Sequence, residues 1–335
     1  MVCRAQSIAS HLSPFSSRRE RPMHPAQTSS DSRPAPRRGA AMGSRSGDAG
    51  ARGVATNAVL AQYESEEAAQ YYSVILGGGG PDLHYGIYTS PDDSTTTASA
   101  KTVTVLRQLA EAAGAVFAPG VRVLDLGAGA GGAAQLLAET TGVSVTCVNL
   151  CRKQNEANRE AVQRRGLSAL ITVVDGSYDD LPADWTATFD IVWSQDAILH
   201  AADKATVFAE AARALVHGGY AVVSDVGASA NADAAALAAY VERMRLAEVL
   251  TAAEYEEGLA AVGIDILRTR DMTGHIIPNY RRMLGRIARE RGRLDACSDA
   301  FLDTVVARLR TEITALQEGE AHAWFFLVGR KCGGV

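Results

Sequence analysis

Val121-Arg-Val-Leu-Asp125-Leu-Gly127-Ala-Gly129-Ala-Gly131-Gly132 is the stretch that decides the fold. A short apolar run ends in an acid and a glycine turn, and an amphipathic stretch follows, which is the passage of a buried strand into a helix. Gly127 and Gly129 permit positive φ and let a ligand approach the backbone, while the first turn of the following helix offers N–H groups with no partner inside the helix. A dinucleotide pyrophosphate could use that same helix end, so the glycines alone do not choose a ligand. Asp125 does. An acid directly before the glycines repels a pyrophosphate and suits a ligand that bears an ammonium group.

Outward from this corner, apolar runs alternate with amphipathic stretches. Strands are predicted over 122–126, 144–149, 171–175, 189–194 and 220–225, with helices near 131–140, 152–165, 203–216 and 235–248. Such alternation reads as βαβ units and hence as a parallel sheet covered on both faces. An αβ unit over 251–271, a helical stretch over 279–317 and a last strand over 323–329 follow. Upstream, a helix is expected over 101–114, and Gly77-Gly78-Gly79-Gly80-Pro81 breaks a helical pattern that begins near Val54, which permits a hinge or lid. The expected architecture is α/β and Rossmann-like: a mostly parallel seven-stranded sheet with helices on both faces. A helical lid segment over 53–100 precedes the main domain at 101–332, in which 279–317 forms a helical substrate-side insertion before the last strand.

The 335 residues are 47% hydrophobic and 21% charged, which is enough apolar side chain for one sizeable core. No run approaches the roughly 18 apolar residues of a bilayer span. Cys3, Cys147, Cys151, Cys297 and Cys332 include no CxxC, and no histidines cluster at zinc-ligand spacing. Neither a disulfide framework nor a metal site is signalled, and a reducing compartment fits. Charge is divided unevenly: residues 1–50 hold eight Arg and no Lys against Glu20, Asp31 and Asp48, leaving 25 basic and 35 acidic residues over 51–335. So acidic a body lacks the clustered cations that a phosphate backbone demands, and neither nucleic acid nor membrane is an expected partner. The head, 1–52, is rich in Ser, Arg, Pro and Ala and should not fold alone. Its composition describes a transit peptide for a plastid or mitochondrion. The alternative is a disordered extension, or a true start at Met23 or Met42, with a cytoplasmic location.

Asp125-x-Gly127-x-Gly129 after a first strand resembles motif I of class I methyltransferases, whose donor, S-adenosylmethionine, carries the ammonium group that Asp125 suits. Downstream spacing agrees. The second strand ends in Val148-Asn149-Leu150, where an acid for the ribose hydroxyls is usual, and the Asn149 amide can bond a diol without charge. The third ends in Asp175-Gly176-Ser177, where an acid can receive the adenine amino group. The fourth exits through Trp193-Ser194-Gln195-Asp196-Ala197-Ile198-Leu199-His200, at the strand ends where open α/β sheets bind ligands. Asp196 and His200 are four apart and would share one face of a following helical turn.

Asp125-Leu-Gly-Ala-Gly, Cys147-Val-Asn-Leu with Gln154-Asn155-Glu156 and Asn158-Arg159, Val174-Asp-Gly-Ser, and Trp193-Ser-Gln-Asp-Ala-Ile-Leu-His together resemble the sarcosine/dimethylglycine N-methyltransferases that make glycine betaine. The amide at Asn149 is normal in that group. The resemblance extends over roughly 60–331, including Gln62-Tyr63-Glu-Ser-Glu, the 77–88 segment and Asn279-Tyr280-Arg281-Arg282. It implies cofactor contacts from Tyr72, Asp125, Gly127, Gly129, Asn149, Leu150, Gln154, Asp175, Gly176, Ser177, Ser194 and Gln195. Phosphoethanolamine methyltransferases share a similar Ser-x-Asp-Ala-Ile-Leu-His. There the Asp contacts the substrate amine and the His pairs with a Tyr from the N-terminal segment to close the site, roles that fall here on Asp196, His200 and Tyr63. Gln195 stands where that family has Arg, and the body holds only four Lys, so phosphoethanolamine or another small amine ranks behind sarcosine and dimethylglycine as acceptor.

Methyl transfer from a sulfonium to an amine is an in-line displacement, so positioning supplies most of the rate. Asp196 would steer the amine and offset the positive charge of a quaternary ammonium. His200 with Tyr63 is the candidate relay or clamp. A substrate carboxylate calls for an Arg fork, placed at Arg282 with Tyr280. Trp193, Tyr88 and Trp324 are aromatic faces that can either contact methylated nitrogen or pack the core. Ser224-Asp225-Val226-Gly227 departs from the Thr-Asp-Pro-Met expected after the fifth strand, which leaves open the preference among glycine, sarcosine and dimethylglycine. A catalytically idle methyltransferase fold serving as a binding subunit is the reading from another class, and intact Asp125, Asp196 and His200 argue against it. A monomer or small homo-oligomer is expected.

Overall fold

Seven strands carry the site: β1 (Arg122–Leu126), β2 (Ser144–Asn149), β3 (Ile171–Asp175), β4 (Phe189–Gln195), β5 (Leu215–Ala228), β6 (Ile264–Asp271) and β7 (His322–Lys331). In the computed structural model, which describes residues 66–80, 83–318 and 322–333, they form one sheet in the order β3-β2-β1-β4-β5-β7-β6. β1 to β5 run parallel, and β7 is antiparallel to both β5 and β6. Successive side chains on a strand point to opposite faces. Val123, Val145, Ile191, Trp193 and Val222 therefore enter one apolar layer, and Leu124, Leu126, Val192, Ala221 and Val223 the other. Strand order reverses at β1 and β4, so the loops leaving those two strands open a crevice between them.

The helices are α1 (Glu66–Gln70), which continues as a π-helical turn (Tyr71–Leu76), α2 (Thr95–Ala112), α3 (Gly132–Thr141), α4 (Arg152–Arg164), α5 (Lys204–Ala214), α6 (Ala234–Met244), α7 (Ala252–Ala261), α8 (Ile276–Glu290) and α9 (Asp299–Glu318). No helix among the described residues is long and apolar enough to cross a membrane. The head at 1–52, and the part of the 53–100 segment before Glu66, lie outside the described residues.

Boundaries differ from the expectation where local chemistry outweighs the apolar pattern. α2 starts at Thr95 rather than 101 because the Ser94 hydroxyl accepts from the Thr97 N–H at 3.0 Å. That cap starts the helix through three threonines, whose own propensity is poor. The helix expected over 203–216 stops at Ala214, since Leu215 already pairs with Phe189 and opens β5. The helix expected over 235–248 ends at Met244, and the helical stretch expected at 279–317 consists of two helices, α8 and α9.

α8 buries Ile276, Asn279, Tyr280, Met283 and Ile287, the i, i+3, i+4 stripe of one face. Asn279 joins that face to the segment before α2: its Oδ1 accepts from the Gly86 N–H at 2.9 Å, and its Nδ2 donates to the Gly86 carbonyl at 2.8 Å. This pair fixes Tyr85 beside Tyr280. Asn279→Ala leaves a buried N–H and a buried C=O unpaired and is expected to destabilise the protein by about 2–4 kcal/mol in urea unfolding; a change under about 0.5 kcal/mol would show that the tie is dispensable.

Candidate active site

β1 delivers Asp125, 3% exposed, to the bottom of the crevice. The chain then turns through Gly127 at φ +76°, whose N–H donates to the Val148 carbonyl at 2.8 Å. A Cβ on Gly127 would stand 2.5 Å from the Ala197 Cβ, so this position is closed by the β4 exit. Gly129, at φ +55°, is the opposite case: a Cβ there meets nothing within 4 Å, and the loop faces open space. Asp125, Gly127, Gly129, Asn149, Leu150, Gln154 and Gln195 all line one cavity at this point, together with Cys151 and Tyr178. Leu83, Cys151 and Gln154 also line an adjoining cavity of about 530 Å³ that reaches Tyr72 and α4.

Hydrogen bonds sort the predicted cofactor contacts. Asn149 Nδ2 donates to Gln154 Oε1 and Asn155 Oδ1, both at 3.1 Å, so its donors serve the loop. Gln195 Oε1 accepts from the Trp193 indole N–H at 3.0 Å, while its Nε2 is buried and meets no acceptor among the described residues. Asp175, Gly176, Ser177 and Ser194 do not line the cavities. Asp175 is held by Asn155 Nδ2 at 2.7 Å and Arg159 Nη2 at 2.6 Å, which keep its carboxyl below the ordinary range. Ser194 Oγ donates to the Leu126 carbonyl at 3.1 Å and so joins β4 to β1, and Ser177 donates to Asp179.

Asp196 follows the last residue of β4, and here the expected helical turn is absent. Asp196 takes a left-handed conformation at φ +47°, and a 3-10 turn at Ile198–His200 follows. The carboxylate is fixed from three directions. Oδ1 accepts from Ser224 Oγ at 2.8 Å and from the Trp324 indole N–H at 3.0 Å, and Oδ2 accepts from the Tyr85 N–H at 3.3 Å. The 3-10 turn is clamped as firmly. Its Leu199 N–H donates to buried Asp225 at 2.9 Å, and the buried Lys204 ammonium donates to the carbonyls of Leu199 and Ala201, both at 3.2 Å. Burial, then the Lys204 charge, push His200 down to about 4, so its imidazole is neutral. Although the turn differs from the expectation, Asp196 and His200 still converge, and each lines both the glycine-loop cavity and a second one.

That second cavity, about 330 Å³, is walled by Tyr71, Tyr72, Tyr85, Tyr240 and Tyr280 and carries Arg243, Arg308 and Glu312. Tyr280 Oη lies 2.8 Å from Tyr85 Oη and 2.9 Å from His322 Nε2. Arg282 is not among its residues. Two positions apart on a helix face different directions, so Tyr280 and Arg282 cannot both point into one cavity. The Arg282 guanidinium donates to the Ser90 and Pro91 carbonyls and stacks on Tyr88, which removes Tyr88 as well. Trp193 is core, edge-on to Phe117. Tyr63 lies outside the described residues. Trp324, named as an aromatic face, is buried and reaches the site through its indole N–H; Tyr85, Tyr240 and Arg243 carry no sequence signal and come together only through α6 and the segment before α2.

A seven-stranded sheet with this order, a glycine loop after β1 and an acid after β4 define a class I methyltransferase. A methyltransferase-domain profile matches residues 124–223. The sarcosine/dimethylglycine N-methyltransferase of Aphanothece halophytica is 34% identical over 266 residues, covering 79% of this chain and 93% of that protein. A glycine/sarcosine/dimethylglycine N-methyltransferase from Actinopolyspora halophila is 39% identical over 223 residues, and the match spans only 38% of its length. A solved structure from Galdieria sulphuraria, provisionally assigned as a sarcosine dimethylglycine methyltransferase, superposes with a TM-score of 0.72 at 29% identity, over 79% of this chain and 98% of that one. The chain belongs to the sarcosine/dimethylglycine N-methyltransferase family.

Trp324→Phe keeps an aromatic ring but shortens it, and removes one donor to a charged acceptor, a bond worth about 1.5–3 kcal/mol. Turnover is expected to fall roughly 10- to 100-fold, with cofactor affinity by calorimetry unchanged. Unaltered turnover would mean that Asp196 does not need this partner.

Proposed function

We propose that this chain transfers methyl groups from S-adenosylmethionine to sarcosine and dimethylglycine, towards glycine betaine. The observation that carries the reading is the shared wall: Asp196 and His200 line both cavities, so a donor in one faces an acceptor in the other across them. The residues of the glycine-loop cavity fit the donor. Open space over Gly129 admits a ligand, buried Asp125 suits its ammonium group, and the Gln195 Nε2 supplies a donor for its carboxylate. With its amide N–H groups engaged, Asn149 meets a ribose hydroxyl through Oδ1. Bound there, S-adenosylmethionine supplies an electrophilic methyl group on a sulfonium sulfur.

Asp196 then acts as a fixed negative charge beside the nitrogen that becomes cationic. Three donors hold it before substrate arrives, so no reorganisation is needed as charge develops. His200 is the wrong strength for a terminal base. Moving a proton from an ammonium group of pKa about 10 to a group at about 4 is uphill by roughly 8 kcal/mol. Of relay and clamp, the clamp is favoured: neutral His200 orients the amine, and the amine's proton leaves to water before transfer. Tyr72 and Tyr85, from the described part of the 53–100 segment, line the second cavity, as a lid would.

Mass-spectrometric assay of the purified protein with S-adenosylmethionine against glycine, sarcosine, dimethylglycine and phosphoethanolamine tests this reading. Methylation of sarcosine or dimethylglycine is expected, and turnover of phosphoethanolamine alone would overturn it. Asp196→Asn is expected to lower kcat about 100-fold or more while cofactor affinity holds. With His200 neutral above about pH 5, kcat/KM should climb with pH towards the amine pKa without an inflection near 6.5. An inflection there that His200→Asn abolishes would contradict the assignment.

A further inference from the structure

A glycine-derived acceptor is a zwitterion, and with Arg282 engaged elsewhere its carboxylate needs another partner. We infer that Arg243, oriented by Glu312 and Tyr240, binds the acceptor's carboxylate and so selects amino-acid amines over amines that lack an acid. The inference rests on the proposed acceptor class and assigns the specificity of that same cavity.

Arg243 is the last basic residue of α6 and lines the second cavity with Asp196. Its Nη2 lies 2.5 Å from Glu312 Oε1, and its guanidinium stacks 4.9 Å above the Tyr240 ring, which fixes the plane of the fork. Its Nη1 donates to the Met244 thioether at 3.2 Å, a weak acceptor for a strong donor, and that edge is where a carboxylate can compete. A continuous set of contacts runs from this guanidinium to the acid. Tyr240 stacks on His322 at 4.5 Å, and His322 meets the Tyr280 hydroxyl, which in turn meets the Tyr85 hydroxyl. The Tyr85 backbone N–H then ends on Asp196. Arg243 and Asp196 thus line one cavity with opposite charges, and this aromatic wall joins them. Arg308 lines the same cavity and donates from its Nη2 to the Tyr71 hydroxyl at 3.2 Å. The charge of Arg243 also reaches His322, which burial and that guanidinium together push down to about 3, so the ring between them stays neutral.

The test compares dimethylglycine with N,N-dimethylglycinamide, which keeps the nitrogen and replaces the carboxylate by a neutral amide. Wild-type protein is expected to favour the acid in kcat/KM by about 30-fold or more. In Arg243→Met that preference should collapse to within about threefold, with Arg243→Lys between the two. Equal losses on both substrates, or an undiminished preference, would overturn the inference. Calorimetric binding of S-adenosylmethionine shows whether the Met variant is folded. If it is not, Glu312→Gln decides the matter: freeing the guanidinium from its rival carboxylate should lower KM for dimethylglycine and widen the preference for the acid, whereas a weaker preference would overturn the inference. Wild-type protein that methylates neither sarcosine nor dimethylglycine would sink the acceptor class itself, an outcome visible before any variant is made.

Discussion

Asp196 is held where it is by donors from three distant parts of the chain: the Ser224 hydroxyl of β5, the Trp324 indole of β7 and the Tyr85 N–H before α2. The left-handed backbone at this residue, uncommon outside glycine, directs its side chain to those donors. A carboxylate fixed in this way, on the shared wall of two cavities, exerts its field at short range. The rest of the site inherits its placement. Tyr85 is set by Asn279 of α8, and Trp324 packs edge-on to Tyr85, so contacts tie the acid to the tyrosine wall and to the insertion between β6 and β7.

A second set of buried polar groups supports the same turn from below. Burial and the neighbouring Asp196 push Asp225 up to about 8, against the pull of the Tyr255 hydroxyl and the Val226 N–H. Lys204, 1% exposed, spreads its ammonium over the carbonyls of Leu199, Ala201 and Glu248. Both groups are fully engaged, as buried polar groups must be. Their effect is to hold the backbone on either side of His200.

The sheet was legible because parallel strands are buried on both faces and read as continuous apolar runs, as Val123-Leu124 and Ile191-Val192-Trp193 do. The glycine loop was legible because its chemistry is local: strand, acid, glycines and helix are contiguous in sequence. Asp196 and His200 stand out in the sequence by their place at the exit of β4, but their local geometry does not, because a left-handed aspartate leaves no mark in composition. What was hidden is long-range. Arg243 sits in an alanine-rich helix with no motif around it, and Trp324 acts through one N–H across the sheet from the residue it serves. Arg282 drew attention by standing two residues from Tyr280, and helical geometry turns that neighbour away.

A crystal structure of the protein with S-adenosylhomocysteine and dimethylglycine bound together tests the central claim most directly. The sulfur should lie over Gly129 in the glycine-loop cavity and the acceptor nitrogen in the tyrosine-walled one, roughly 4 Å apart, with the Asp196 carboxylate beside the nitrogen. A nitrogen bound away from Asp196, or a nucleoside seated in the tyrosine-walled cavity, would contradict the account.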